Sequence, residues 1–338
     1  MRKNKKTLII AEIGVNHNGK LSIAKKLIKK AADVKADIVK FQMFKPQNLV
    51  TPHAKKASYQ IGKKEKLLSK QIDMLKKFEL NYEKFLKITK FCKKLKIEFC
   101  ASCFDIESIN LFKKLKTKRI KIPSGEITNF ILLKKIAKLN KKIIMSTGMS
   151  SLSEINDAIK VLTTNGSNLK NITLLQCNSE YPSPFKDANL FAIKELKKIF
   201  KTKVGYSDHT PGIEASIAAV AIGATVIEKH LTLNKNLSGP DHKASIEPNE
   251  FKRLVNSVRN IEAALGSKEK GVTKSEKKNM IAVRKSIVAA RKIFKGERFS
   301  LSNLDFKRPG SGISPMLVKK IVGKKANKNF KENEVIKN

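Results

Sequence analysis

Two histidines carry the clearest chemical signal in this sequence. His209 follows the run Val204-Gly-Tyr-Ser-Asp208, and His230 follows Thr225-Val-Ile-Glu-Lys229. Each closes a short apolar run that reads as a buried strand, and the Ala-rich stretch Gly212 to Gly223 between them reads as a helix. Strand, crossover helix and strand place both imidazoles at the carboxyl ends of neighbouring parallel strands, where α/β folds keep their chemistry. A lone histidine is more often structural, but two at equivalent positions on adjacent strand ends point to a shared metal. Imidazole is a borderline ligand that suits Mn, Fe, Co or Zn. An ion held by only two imidazoles keeps open positions for water and a substrate oxygen.

The elements that must position these residues recur along the chain. Strands are predicted at Leu8–Ile13, Asp37–Gln42, Ile97–Ser102, Arg119–Ile122, Lys142–Ser146 and Ile172–Gln176, followed by the two histidine strands. Helices are predicted at Leu21–Ala32, Tyr82–Leu95, Ile106–Lys114, Phe130–Leu139, Leu152–Thr163, Leu190–Phe200, Gly212–Gly223 and Pro248–Leu265. Eight strands, each followed by a helix, specify a (β/α)8 TIM barrel better than an open sheet. All eight strand ends of such a barrel meet on one face. Here they carry Glu12, Lys40 with Gln42, Ser102, Lys121 with Ser124, Ser146, Tyr181, Ser207 with His209, and Glu228 with His230. Met43 to Leu80 reads as a long polar excursion with little periodicity before Leu67, and loops of that length in a compact domain are usually functional.

Two lysines, several serines and a divalent metal on one barrel face suit an anion that carries both phosphate and carboxylate. There is no P-loop or G-x-G-x-x-G, so a nucleotide cradle is not indicated. No nucleophile triad is readable either. Residue chemistry reaches a metal-assisted reaction of a small phosphorylated acid.

Charge and cysteine usage bound the alternatives. The net charge of +42 comes from 71 basic residues, of which only eight are Arg. The lysines are scattered over almost every helix and there is no Trp, whereas nucleic-acid recognition leans on Arg forks and stacking aromatics. They read as solvated helix faces that draw in anionic substrates, with no nucleic-acid partner. Four cysteines are too few for a disulfide framework, and Cys100-Ala-Ser-Cys103 has no second Cys/His pair at zinc-finger spacing. Met1 to Lys6 is basic, but the apolar run after it meets Glu12 before reaching signal-peptide length, and nothing approaches a membrane span. A cytoplasmic protein is expected. Composition changes after Gly266, so the barrel is assigned to 1–266, a Lys/Glu/Ser-rich linker to 267–280, and a small β-rich domain to 281–338. A domain of that size is marginal alone and is expected to lean on a partner surface.

Nine blocks, in order and over nearly the whole chain, resemble the bacterial sialic acid synthase family. They are Ala11-Glu-Ile-Gly-Val-Asn-His-Asn-Gly19, Val39-Lys-Phe-Gln42, Lys121-Ile-Pro-Ser-Gly-Glu126, Ser146-Thr-Gly-Met149, Glu180-Tyr-Pro-Ser-Pro184, Ser207-Asp-His209, Ile227-Glu-Lys-His230, Gly239-Pro-Asp-His-Lys-Ala-Ser245 and Lys307-Arg-Pro-Gly310. The resemblance implies a TIM barrel with a C-terminal antifreeze-like (SAF) domain, and condensation of phosphoenolpyruvate with an acetamido-sugar aldehyde by C–O cleavage. It implies N-acetylmannosamine as the acceptor, giving N-acetylneuraminate, with the legionaminate precursor 2,4-diacetamido-2,4,6-trideoxymannose as the alternative. Gly239 to Ser245 resembles synthases of both products about equally, and pseudaminate synthases less.

By position, the resemblance implies that His209 and His230 bind Mn2+, with Mg2+ or Co2+ as alternatives. Lys40 and Lys121 would hold the carboxylate end of phosphoenolpyruvate, and Ser124, Ser146 and Ser207 its phosphate. Ser102 and Ser179 would complete that site. Glu12, Gln42, Tyr181 and Asp241 would line the sugar pocket, with Glu12 managing a proton on the aldehyde oxygen. Arg308 would reach the acetamido group from the SAF domain of a second subunit in a domain-swapped homodimer. The chain departs from the family at Ala101-Ser-Cys-Phe104, where Ser-Thr-Pro-Phe is common, and at Ser179, where Asn or Thr occurs.

Overall fold

A computed structural model describes residues 6–57, 60, 70–267 and 269–337. The basic extreme of the N-terminus, residues 1–5, and 58–59 and 61–69 of the excursion after the second strand lie outside the described residues. The chain forms two compact units, Met1–Gly266 and Ser267–Asn338.

The first unit is a closed barrel of eight parallel strands in sequential order. In chain order its elements are β1 (Leu8–Gly14), α1 (Leu21–Asp33), β2 (Ile38–Met43), α2 (Pro46–Leu49), α3 (Gln71–Phe78), α4 (Tyr82–Lys94), β3 (Glu98–Cys103) and α5 (Ile106–Lys114). There follow β4 (Arg119–Ile122), α6 (Phe130–Ala137), β5 (Lys142–Ser146), α7 (Leu152–Thr164), β6 (Ile172–Cys177), α8 (Ala192–Phe200), β7 (Lys203–Asp208), α9 (Glu214–Ala221), β8 (Val226–His230) and α10 (Pro248–Ala264). Strands buried on both faces need apolar residues outside and inside, which is why their sequences are near-continuous apolar runs. Several helices start where sequence chemistry allows: Asn81, Asp105 and Asn129 accept from backbone N–H groups, and Ser151 with Glu154 forms a capping box.

Inside the barrel, Ile10, Ile38, Cys100, Ile144, Leu175 and Val226 pack as one apolar layer. The next inward residue on each of these strands is Glu12, Lys40, Ser102, Ser146, Cys177 and Glu228, because side chains alternate with period two. The barrel is therefore plugged by hydrocarbon, with a polar layer directly above. Gly205 permits this closure, since a Cβ there would stand 2.4 Å from the Val226 carbonyl oxygen and 2.7 Å from Leu175 Cδ2.

Three features of the sequence take a definite form in the fold. The excursion after β2 includes α3, whose Met74, Leu75 and Phe78 bury against Val15 and Phe44 in a satellite cluster. Cys100 and Cys103 point to opposite sides of β3, one into the barrel layer and the other into the outer core, so they cannot share a metal. With Cys103 where proline is common, the β2–β3 ladder runs on to Met43 opposite Cys103.

The second unit contains α11 (Lys274–Val283), β9 (Ser286–Ala289), β10 (Leu304–Lys307) and α12 (Val318–Ile321), with β9 and β10 antiparallel. Its core includes Ile287, Ile293, Phe299, Leu304, Phe330 and Ile336. The expected linker 267–280 runs into α11, which has no buried residue and starts at a Thr273/Glu276 capping box. Its capping chemistry, not an apolar face, marks it as a helix.

Candidate active site

The polar layer of the barrel forms one charge cluster. Lys40 Nζ lies 3.0 Å from Glu12 Oε2 and 3.5 Å from Glu228 Oε1, and Lys121 Nζ lies 3.4 Å from the same Glu228 oxygen. Ser207 Oγ donates to Glu228 Oε1 at 3.0 Å, Lys121 Nζ donates to Ser146 Oγ at 2.6 Å, and Lys40 Nζ donates to Ser102 Oγ at 3.3 Å. All of these side chains are buried.

Burial and charge set the protonation states. Burial would raise the Glu228 carboxyl, but Lys121 and Lys40, with the Ser207 hydroxyl, hold it down at about 2. Burial, helped by the nearby Glu228 charge, raises Glu12 to about 7 against the pull of Lys40. Lys40 is held charged because Glu12 and Glu228 outweigh its burial, while burial lowers Lys121. With Glu12 protonated, two ammonium groups face one carboxylate, which leaves positive charge for an anion. A carboxyl near neutrality can also take up or release a proton at working pH.

The imidazoles sit above this layer. His209 and His230 have ring centroids 5.5 Å apart, and the Tyr181 ring lies 4.1 Å from His209 and 5.7 Å from His230. Burial holds both histidines neutral, lowering His209 to about 4 and His230 well below its ordinary range. His209 Nδ1 donates to the Asn178 carbonyl at 2.6 Å, so its Nε2 carries the free electron pair. His230 Nδ1 is buried without a hydrogen-bond partner among the described residues, 3.7 Å from Asp241 Oδ2. Two neutral, buried imidazoles, one oriented by a carbonyl, fit a divalent ion with open coordination positions. Among the described residues no cluster of three or more His, Cys, Asp and Glu forms a ligand set, so the protein would contribute two nitrogens.

A cavity of about 510 Å³ opens over this arrangement. It is lined by every barrel residue named from the sequence except Asp241: Glu12, Lys40, Gln42, Ser102, Lys121, Ser124, Ser146, Ser179, Tyr181, Ser207, His209 and His230. Asp241 lines a smaller lobe of about 90 Å³ that shares Gln42, Tyr181 and His230. β1 has a bulge between Glu12 and Gly14, beside both regions. Gly14 has φ +52°, and a Cβ there would stand 3.1 Å from both Glu12 Oε1 and Asp241 Oδ2 and 3.4 Å from Gln42 Nε2. Gly148 plays a similar part at the other rim, where a Cβ would stand 2.6 Å from Ser179 Oγ and 2.9 Å from Ser124 Oγ.

Sequence reasoning gave Glu228 a strand end but no role, although its place two residues before His230 puts it on the same inward face. Glu126, Cys177 and an apolar wall of Leu49, Val50, Leu75 and Phe104 also line the cavity and were not assigned. Lys121 and Ser146, expected at different ends of the substrate, are hydrogen-bonded to each other.

Arg308 belongs to the second unit, exposed after β10. The turn around it is held by Ser286, whose Oγ donates to the Pro309 carbonyl at 2.6 Å and accepts from Gly312 N at 2.8 Å. Arg308 itself makes no hydrogen bond or ion pair among the described residues.

Comparison with known proteins follows the same two units. The NeuB family signature matches residues 27–270 and the SAF domain signature matches residues 284–338. The chain belongs to the NeuB family. This NeuB chain is 55% identical to N,N'-diacetyllegionaminic acid synthase of Campylobacter jejuni subsp. jejuni serotype O:2, over 98% of its own length and 99% of the relative. It is 44% identical to the protein of that same name from Legionella pneumophila subsp. pneumophila, over 95% of its length and 91% of the relative. Among solved structures, it resembles N-acetylneuraminic acid (sialic acid) synthetase from Leptospira borgpetersenii serovar Hardjo-bovis in complex with citrate. That match has a TM-score of 0.72 and 35% identity, covering 82% of this chain and 91% of the other. The nine-block resemblance to sialic acid synthases is thus correct at the family level. Among the described residues, no helix is long and apolar enough to cross a membrane.

Proposed function

We propose that the chain condenses phosphoenolpyruvate with 2,4-diacetamido-2,4,6-trideoxymannose and water, giving N,N'-diacetyllegionaminate and phosphate. The observation that carries this reading is the 55% and 44% identity to two legionaminic acid synthases, against 35% to the N-acetylneuraminic acid synthetase. The family resemblance of the sequence puts N-acetylmannosamine first; the graded similarity supports placing the legionaminate precursor ahead of it.

In this reaction C3 of phosphoenolpyruvate bonds to the aldehyde carbon, water oxygen joins C2, and the C2–O bond to phosphate breaks. Lys121 and Ser146, 2.6 Å apart, serve one anionic group of phosphoenolpyruvate, with Lys40, Ser102 and Ser207 beside them. Ser124 and Ser179 face the anion from the rim. Glu228 keeps the two lysines charged when no substrate is bound. Gln42, Tyr181 and Asp241 hold the sugar, and Glu12, raised to about 7, transfers the proton at the aldehyde oxygen. His209 and His230 would hold Mn2+, or Mg2+ or Co2+ in its place, and a divalent ion bound there would polarise the aldehyde and activate water. Arg308, exposed and without a hydrogen-bond or ion-pair partner among the described residues, reaches the acetamido group of a second copy's substrate in a homodimer.

The test is sugar-dependent phosphate release with a panel of acetamido sugars. The diacetamido sugar is expected to give at least about tenfold higher kcat/KM than N-acetylmannosamine, equivalent to about 1.4 kcal/mol. The reverse preference would assign N-acetylneuraminate formation. With 18O in the bridging oxygen, label should leave with phosphate; label retained in the keto acid would mean P–O cleavage.

A further inference from the structure

Directly behind the two imidazoles lies a second charged pair that faces away from the cavity. Strand residues alternate, so the neighbours of inward His209 and His230 point outward. Those neighbours are Asp208 and Lys229, register partners across β7 and β8. Both are fully buried, with Lys229 Nζ 3.0 Å from Asp208 Oδ2.

The pair also grips the residue after His209. Asp208 Oδ1 accepts from Thr210 N at 2.9 Å and from Thr210 Oγ1 at 2.7 Å, and Lys229 Nζ donates to the Thr210 carbonyl. Ser216 Oγ on α9 donates to Asp208 Oδ2 at 2.6 Å, tying the cluster to the helix layer. His209 is therefore clamped on both sides along the backbone. Its own carbonyl accepts from Ser183 N at 2.8 Å, and its Nδ1 donates to Asn178. Burying two opposite charges is weak evidence for stability, because desolvation offsets their attraction. The pair's geometry, spanning the two strands that carry the imidazoles, accounts for it better.

We infer that Asp208 and Lys229 are positioning residues that set the orientation and spacing of His209 and His230. This rests on the reading of those histidines as reactive-site groups, and goes beyond it by assigning what holds them. Neither residue touches the cavity.

The test uses the full chain with Asp208→Asn and Lys229→Met combined. Asn keeps an acceptor for Thr210, and removing both charges avoids an orphaned ion. Three quantities are read: thermal stability, the ring-nitrogen tautomers of 15N-histidine-labelled protein in chelator, and the Mn2+ dissociation constant. The folded variant is expected to replace the single Nδ1–H form of His209 by a mixture, and to bind Mn2+ at least about tenfold more weakly. Its kcat is expected to fall by a similar factor with KM for phosphoenolpyruvate nearly unchanged. A folded variant with wild-type tautomers and Mn2+ affinity would overturn the inference. If the double variant does not fold, Thr210→Val decides, because it removes only the Oγ1 donor. It should reproduce the tautomer change in weaker form, and wild-type spectra would refute the assignment. If the wild-type protein binds no Mn2+, the metal reading fails separately and the tautomer spectra alone judge the positioning role.

Discussion

Glu228→Gln is the most informative single change in the site. It removes the firmly ionised carboxylate between two buried ammonium groups while keeping side-chain size and an acceptor for Ser207. Glu228 Oε1 stands 3.4 Å from Lys121 and 3.5 Å from Lys40. Breaking a buried ion pair by removing one partner costs about 3–5 kcal/mol, since the other charge is left uncompensated. Losing Glu228 also removes a negative charge that raises Glu12, so Glu12 ionises beside Lys40 at 3.0 Å and the lower end applies, about 3 kcal/mol. For a barrel of this size, about 2 °C per kcal/mol gives a Tm fall of about 6 °C at pH 7. Calorimetry in chelator measures it without interference from bound metal. The pH dependence has a definite sign. Burial already lowers Lys121, and losing Glu228 lowers it further. Between the lowered folded value and the unfolded one, the unfolded chain binds more protons, so stability rises with pH there. The deficit is thus full at neutral pH and shrinks as pH rises through the folded lysine value. Phosphoenolpyruvate should raise the Tm of the variant more than that of wild type, because its anion replaces the missing charge. A variant Tm within about 1 °C of wild type at pH 7, or a deficit that grows with pH, would refute the reasoning.

Four further outcomes are expected. Lys121→Ala should lower kcat/KM for phosphoenolpyruvate by an order of magnitude or more, about 1.4 kcal/mol, and leave the sugar KM nearly unchanged; a change in the sugar KM alone would reverse the pocket assignment. His209→Ala or His230→Ala should abolish activity with the fold intact by circular dichroism, and chelator should do the same to wild type until Mn2+ is restored; full turnover in chelator refutes the metal. Mixing His209→Ala with Arg308→Ala subunits should recover about a quarter of wild-type activity if the site is shared between chains, and no recovery despite confirmed subunit exchange rules that arrangement out. His17 is held neutral, pushed down to about 4 by burial and Lys84, with Nδ1 accepting from Gly19 N at 3.0 Å. Its stabilising contribution is full above its unfolded value near 6.5 and is lost as pH falls toward 4, so His17→Gln should flatten acid destabilisation by about 3 kcal/mol; an equally steep fall in the variant argues against it.

Much of the molecule was legible one segment at a time. Apolar runs of strand length and amphipathic helix stretches are local patterns, and eight repeats leave few ways to bury them other than a closed barrel. The polar residue ending each strand was equally readable, so twelve of the assigned side chains meet in one cavity. What the sequence could not contain is who meets whom inside it. Ser207 reaches Glu228 across two adjacent strands, and Lys40 and Lys121 meet at that one carboxylate from different strands, only because the barrel closes with a particular stagger. The bulge that brings Glu12, Gln42 and Asp241 around Gly14 is likewise a property of strand pairing, not of composition. α3 is short and weakly periodic in sequence, and becomes a helix with a buried face because Val15 and Phe44 offer it a surface. Protonation follows the same division. Residue types at Glu12 and Glu228 are identical, yet one is raised to about 7 and the other held at about 2. The sequence determined that carboxylates and lysines would face the site; the lysines and the serine that each equally buried carboxylate touches, contacts that exist only in the folded barrel, decided which one holds a proton.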